Sequence, residues 1–452
     1  METQVRTKQY LSRNRGGAIT VAKVCWLFLY AIYVMSNMGL PGQLYSAAPS
    51  IASSLLFAFR AIGLLLFFDS LIFLISPKQS LYSSSSLGLI AVFAIYVGLS
   101  GVLATTDISL FVKYYWQLVQ GIVVMLGMVR RLDAKDIIGV FAFSQSAIVL
   151  LSILFAAAFP GFAYDISGNF VGLYTTKNTC AYELAFGMVV FAFVIFCSRS
   201  MLPRLFSVGM LAISVFLMVQ TDCVGAWGTL ALVIIAIIVM RKKGLNLHYG
   251  SVFLVVNLLF ALVVLFVLPQ LNNFLAMFGK DITLTGRTNI WSGIAAYVSN
   301  SGIHALIGAG YNTFWNDSWS VSNLFTYYYA AGYANVTEAM GGHNLFAELV
   351  LNIGLVGALL FACMFMLPSW KKRITFKGSE LFFSSLFMFV LFHGLVERTF
   401  SFSTVDTVFL LLLVALFSLK HEVYCEKKGL SRNCDAHTNT TEEERSRGGI
   451  LR

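Results

Sequence analysis

Three basic side chains stand at the starts of helical runs. Lys177 immediately precedes an apolar run near 178–197, Arg287 heads an amphipathic stretch over 288–299, and His343 immediately precedes an apolar run near 344–367. A helix start exposes free N–H groups and the positive end of the helix dipole, so a cation there is unfavourable until an anion joins it. A lipid-linked pyrophosphate is one such anion, with Arg287 offering a planar fork to its oxygens and Lys177 a point charge. A helix start also disfavours a protonated imidazole, and a neutral imidazole is what a general base for a sugar hydroxyl requires, which suits His343. His304 competes for that role, and spacing alone does not separate the two. The plainer reading is that each cation sits at a membrane interface and meets lipid headgroups.

Around these residues, the segment from Tyr311 to Tyr333 interleaves nine aromatics with Asn, Ser and Asp. Such a mixture can stack on sugar faces while bonding hydroxyls, with Tyr311, Trp315 and Trp319 as the sugar-binding candidates; an interfacial aromatic belt has the same composition. Polar residues within apolar runs are costly in lipid and need a cavity or a partner. Arg60 and Asp69 lie nine apart on roughly opposite helix faces and so need separate partners. His393 and Glu397 lie four apart on one face, with Asp406 on the next run, and either support the site or pair structurally. No Walker loop, Rossmann glycine pattern or paired carboxylates for a metal-bound nucleotide sugar occurs, so a sugar donor must arrive already activated on a lipid. No metal site and no cofactor is expected.

The elements that position these residues follow from composition. The chain is 58% hydrophobic and 12% charged, with mean hydropathy +0.78, far from a soluble domain. In lipid every backbone polar group needs an internal partner, and runs of this length without strand-like alternation must be helices. Apolar runs fall near 24–40, 52–76, 86–104, 109–129, 136–159, 178–197, 205–220, 225–240 and 250–269. Three more follow near 344–367, 379–397 and 403–419. The expectation is an all-α polytopic integral membrane protein of about twelve transmembrane helices. It divides into a basic cytoplasmic N-terminus (1–23), helices one to nine (24–269), a long external catalytic loop with short amphipathic helices (270–343), helices ten to twelve (344–419) and a disordered cytoplasmic tail (420–452).

The first run follows a basic head and is longer than a signal-peptide core, so it reads as a membrane helix. Alternating the connections from a cytoplasmic start puts 25 of the 31 Lys and Arg residues on one side. The positive-inside rule then places both termini in the cytoplasm of a bacterial inner membrane, and the net charge of +10 reflects topology, with no nucleic acid as partner. The seven cysteines show no metal-ligand spacing and no disulfide framework.

At these residues the chain resembles the Wzy polymerase and O-antigen ligase superfamily, and within it the exopolysaccharide polymerization proteins of the succinoglycan type. The matching pieces are GLYTTKNTCA (171–180), GKDITLTGRTNIW (279–291), LIGAGYNTFW (306–315) and GGHNLFAELVLNIGLVG (341–357). The resemblance implies a metal-independent glycosyl transfer, in which a growing polysaccharide leaves its polyprenyl pyrophosphate and attaches to a hydroxyl of the next lipid-linked repeat unit. It gives Arg287 the donor pyrophosphate, His343 the acceptor proton, and Lys177, Asn178 and Asn344 the rest of the phosphate site. Where the family often carries a Ser-Lys or Ser-Arg pair, this chain reads TDCVGAW with Asp222, so a second basic contact is either missing or supplied by Arg60. The partners implied are a polyprenyl-pyrophosphate-linked oligosaccharide, membrane lipid, a flippase and a chain-length regulator. A ligase that moves finished glycan to another acceptor is the near alternative. A transporter is the distant one, for which broken helices in two repeated halves are expected.

Overall fold

The computed structural model describes residues 21–38, 42–75, 81–243, 247–267, 270, 287–331, 341–374, 378–397 and 405–420. Helices dominate it: α1 Val21–Ser36, α2 Pro49–Ile75, α3 Ser84–Ala104, α4 Ile108–Arg131, α5 Ala134–Ala158, α6 Lys177–Cys197, α7 Met201–Gln220, α8 Val224–Lys243 and α9 Tyr249–Leu262. They continue with α10 Arg287–Asn300, α11 Ile303–Ile307, α12 Ser318–Ala330, α13 Leu345–Ser369, α14 Ser379–Val396 and α15 Val405–Phe417. Among the described residues there are only isolated β-bridges and no strand.

The protein is an all-α polytopic membrane protein. Among the described residues, ten helices are long and apolar enough to cross a membrane: α2 to α8, α9 with its π-helical last turn, α13 and α14. The first and twelfth expected spans correspond to the shorter apolar helices Lys23–Ser36 and Asp406–Phe417. The described length of α15 falls short of the roughly 20 residues that a lipid-facing span needs. From Asp406 to Leu419 it is buried throughout, packed on α4, α13 and α14, so protein rather than lipid surrounds it. Close helix approach relies on small residues, as membrane packing does generally: a Cβ on Gly127 of α4 would lie 1.9 Å from Ser70 Oγ of α2.

The polar residues on α2 find separate fates. Asp69 accepts two hydrogen bonds from Arg131 of α4, at 2.7 and 2.8 Å, and Arg131 lies over the Trp26 ring of α1. Arg60 is exposed, with no hydrogen bond or ion pair among the described residues.

Beyond the membrane helices, α10, α11, α12 and the start of α13 build a second, smaller core. Ile290, Ile294 and Tyr297 of α10 pack against Leu324 and Tyr328 of α12, with Phe314 and Leu351 closing the cluster. The expected amphipathic helix is therefore present, but its apolar face is spent on protein, and Gly293 marks the contact: a Cβ there would lie 2.5 Å from Tyr328. The same packing revises the reading of the aromatic segment. Most of its described rings fill this core, Trp319 and Tyr329 are the exposed large aromatics among them, and Tyr333 lies outside the described residues.

This small core is pinned to the membrane bundle at a break in α13. Gly354 has φ +69°, and a Cβ there would lie 2.1 Å from the Leu306 carbonyl oxygen, so only glycine fits. The interruption disengages carbonyls of the preceding turn, and these are not left unpaired. Leu351 O accepts from Ala309 N–H at 3.1 Å and Asn352 O from Gly310 N–H at 2.9 Å. Tyr96 of α3 donates to Leu306 O and Ile353 O across the same junction.

Candidate active site

The start of α13 is held from several sides before any reactive group is considered. Asn344 caps the helix, its Oδ1 accepting from the N–H groups of Phe346 and Ala347 at 2.9 and 3.1 Å. Its Nδ2 donates to Leu395 O at the end of α14. The Asn344 amide thus joins two helix ends, with its Oδ1 and one of its two Nδ2 hydrogens engaged. One residue earlier, His343 sits in the left-handed region with φ +46°, a conformation that surrounding contacts must sustain. Gly342 supplies two of them: its N–H donates to Glu348 Oε1 at 2.5 Å and its carbonyl accepts from Trp291 Nε1 at 2.9 Å. Buried Glu348 also accepts from Trp315 Nε1 and Asn352 Nδ2, so Trp315 braces the loop with its polar edge.

Glu397 is the hub. It follows the last residue of α14 in extended backbone (φ −142°, ψ 165°), with its N–H still donating to His393 O at 2.9 Å. One carboxylate oxygen pairs with Arg287 at the start of α10, and the other lies 3.0 Å from His343 Nδ1. Burial opposes the ionised form of Glu397 but is outweighed by the hydrogen bond from His343 and by the charges of His343, Arg287 and His393, which hold its pKa below the usual carboxylate range. An ionised carboxylate only accepts, so Nδ1 of His343 donates to Glu397 and Nε2 is the ring nitrogen that this contact leaves open.

Lys177 is the first residue of α6, which Thr176 caps. Its Nζ lies 3.9 Å from Asp222 Oδ2, a long contact to a carboxylate that is 77% exposed. Such an exposed pair is worth little and is readily exchanged for a stronger anion. Asn178, half-buried, follows on the same turn. Asp222 adjoins the buried Cys223, and the charges of Glu397 and Arg287 both act on that thiol, so the Lys177 end of the site and the Glu397 hub are neighbours. Arg287 and His343, read separately from two helix starts, thus meet on one carboxylate, with Lys177 on the Asp222–Cys223 side of the same region.

No family model matches the chain. Over 88 residues, 19% of its length, it is 38% identical to the exopolysaccharide production protein ExoQ of Rhizobium meliloti (strain 1021). That stretch spans 18% of the relative. The chain is thus a polytopic membrane protein with a partial likeness to an exopolysaccharide production protein.

Other candidates lie apart from the hub. His304 is on α11, its Nδ1 3.0 Å from Gly308 O and its ring near Trp319, so the structure separates it from His343 where spacing did not. Tyr311 is fully buried and offers no ring face to a sugar, while Trp319 is 61% exposed. Arg60, on α2, belongs to a helix that packs chiefly on α1 and α4.

Two further features surround the hub. His393 does not share a partner with Glu397: its Nδ1 lies 2.7 Å from Asp406 of α15, and the ring stacks on Tyr182 of α6 at 3.8 Å between centroids. Below the hub, α6, α7, α8 and α14 line a partly open, mainly apolar cavity of about 800 Å³, with Met188, Phe193, Leu211, Trp227 and Leu381 in its wall and Arg241 among its lining. It begins on α6 about 9 Å along the axis from Tyr182, and on α8 one turn from Cys223.

Proposed function

We propose that this protein polymerises lipid-linked oligosaccharide repeat units into exopolysaccharide or O-antigen at the outer face of a bacterial inner membrane. The observation that carries this reading is the shared carboxylate of Glu397, which brings a phosphate-binding cation, Arg287, and a candidate general base, His343, to one point. The partial likeness to an exopolysaccharide production protein supports it. The outward placement rests on the charge distribution, with 25 of 31 basic residues on the opposite side.

In this mechanism the polyprenyl chain of the donor enters the apolar cavity and its pyrophosphate meets Arg287 and Lys177. Lys177 gives up its weak contact with Asp222, and Arg287 turns part of its five-donor fork from Glu397 to phosphate oxygens. His343 Nε2 removes the proton from the attacking hydroxyl of the acceptor unit. The new C–O bond forms as the bond between the donor's anomeric carbon and the phosphate oxygen breaks, and the electron pair leaves on the pyrophosphate. The proton remains on His343, where Glu397 stabilises the imidazolium. Stabilising the leaving pyrophosphate is the larger demand, so the cations should contribute most.

A ligase would use the same groups with a different acceptor. A transporter gains less from this molecule: α13 is broken at Gly354, but Ala309 and Gly310 N–H groups occupy the carbonyls of the interrupted turn, so that break offers no ion site.

The experiment is gene deletion followed by complementation, reading high-molecular-weight polysaccharide and lipid-linked single repeat units together. Loss of polymer with persistence of single units supports polymerisation. Normal polymer in the deletion strain sinks it, and long polymer retained on its polyprenyl carrier points to the ligase.

A further inference from the structure

A polymerase of this kind handles two substrates that carry the same anionic group, because donor and acceptor each bring a polyprenyl pyrophosphate. The cluster around Glu397 can serve the one that leaves. The other stays on its lipid throughout the reaction and needs its own place, and α2 and α4 carry side chains suited to it.

These two helices run parallel and pack closely. Gly63 of α2 abuts Gln120 of α4, where a Cβ would lie 2.9 Å from the amide nitrogen, and Ser70 abuts Gly127. Seven residues separate the contacts on each helix, which fixes the register: Arg60 stands level with Gln117, and Lys113 lies one turn nearer the start of α4. Lys113 and Gln120 are seven apart and share one stripe, about 20° from each other around the axis. Arg60 and Lys113 are both exposed and Gln117 and Gln120 half-buried, and none of the four has a hydrogen bond or ion pair among the described residues. Lys113 rests over the neighbouring Tyr114 ring, 5.4 Å from its centroid.

The acids nearest in sequence are committed elsewhere. Both carboxylate oxygens of Asp69, nine residues from Arg60, accept from Nη2 of Arg131. Asp107 accepts from Leu110 N–H as the cap of α4. Arg60 lies eleven residues into a candidate span, about 16 Å from its start, and Lys113 about 8 Å from the start of its own. Two cations within apolar helices, with two amides beside them and no carboxylate partner among the described residues, are suited to an anionic ligand.

Resting on the function proposed above, we propose that Arg60, Lys113, Gln117 and Gln120 form a second diphosphate-binding subsite, which holds the lipid-linked substrate whose diphosphate is retained. Arg60 supplies the planar fork, Lys113 a point charge nearer the surface, and the amides neutral N–H donors. The start of α4 also touches the small external core, where Thr106 Oγ1 donates to Asp317 Oδ1 at 3.0 Å. The glycan of a lipid held here therefore emerges beside that core.

The test uses the full-length protein in nanodiscs of uncharged lipid and counts bound polyprenyl diphosphate lacking any glycan. Two equivalents are expected for the wild type and one for R287Q. The double variant R60Q/K113Q should bind its second equivalent at least tenfold more weakly, with R60K/K113R restoring it, which separates loss of charge from loss of fold. Two undiminished equivalents in R60Q/K113Q overturn the inference. So does a single wild-type equivalent that R287Q abolishes and R60Q/K113Q keeps. A co-purified phospholipid that R60Q/K113Q alone sheds, with no change in the probe, also overturns it, since the stripe then holds an ordinary lipid headgroup. If the wild type binds no probe at all, the polymerase reading falls together with this one.

Discussion

Two histidine–carboxylate pairs stand at the same end of α14, four residues apart along the chain, and they differ in what encloses them. His343 and Glu397 are joined at 3.0 Å with side-chain exposures of 25% and 12%, and the carboxylate is shared with Arg287. His393 and Asp406 are joined at 2.7 Å with exposures of 5% and 3%, and Tyr182 covers the ring. Both set an imidazole against a carboxylate, but only the outer contact is a hydrogen bond, and the two differ in access. The outer pair joins groups from helix ends, where a substrate can replace one contact. The inner pair ties α14 to α15, where nothing can enter without unpacking the core.

The sharpest way to break this contrast is to remove the outer groups. His343→Ala and Arg287→Ala are each expected to reduce polymer synthesis by about 10²-fold or more, in the range for a lost general base or a lost stabiliser of developing charge. The check is polymer yield normalised to membrane protein level. Equal yields for H343A and wild type would mean that the exposed pair is merely structural.

Glu397→Gln comes next. It preserves shape, but it removes the charge that orients His343 and offsets Arg287, and a loss of about 10- to 100-fold is expected, as for the groups that orient a reactive ligand. The pH dependence has a definite sign. The folded-state pKa of Glu397 is lowered, so its contribution to stability is present at neutral pH and is lost only as pH falls through that lowered value. The gap in unfolding midpoint between wild type and E397Q should therefore hold from neutral pH to about pH 4, the ordinary carboxylate range, and close below it. A gap that closes by pH 6 would contradict the lowered pKa.

The inner pair should show the opposite pattern. Asp406→Asn leaves a buried imidazole without its charged partner, at a cost of about 3 kcal/mol in stability. Detergent-solubilised protein should then unfold earlier, while activity per folded molecule is unchanged. A large loss of specific activity at full stability would place His393 in the reaction and dissolve the distinction between the pairs.

How much of this was legible depends on whether the determinant is local. The membrane helices were readable because apolar runs of span length have no other way to satisfy their backbone in lipid. Lys177, Arg287 and His343 were readable because each is adjacent to a helix start, a one-dimensional feature. Glu397 and His393 were read together, as supporting the site or pairing structurally, and the partners that divide them, Arg287 and His343 for one and Asp406 for the other, come from distant segments. Gly354 was silent because LVLNIGLVG reads as unbroken apolar helix, and the donors that stabilise its break come from Ala309 and Gly310, more than forty residues away. The aromatics between Tyr311 and Tyr333 were ambiguous in composition, and tertiary packing assigned most of them to a core.

The smallest expected effect completes the comparison by testing the one histidine that sequence could not separate from His343. His304 lies on α11, and its Nδ1 is satisfied by the Gly308 carbonyl at 3.0 Å, a local contact within a short helix. Its ring neighbour is the exposed Trp319, and neither Arg287 nor Glu397 is among its partners. His304→Ala should therefore change stability by no more than about 0.5 kcal/mol, as for a surface substitution, and polymer yield by no more than the corresponding factor of about two. A general base would instead cost orders of magnitude, so the two assignments differ by far more than the scatter of the assay. If H304A abolished polymer while H343A preserved it, the site would belong to the external core around α11, and the Glu397 hub would be only the joint that carries it.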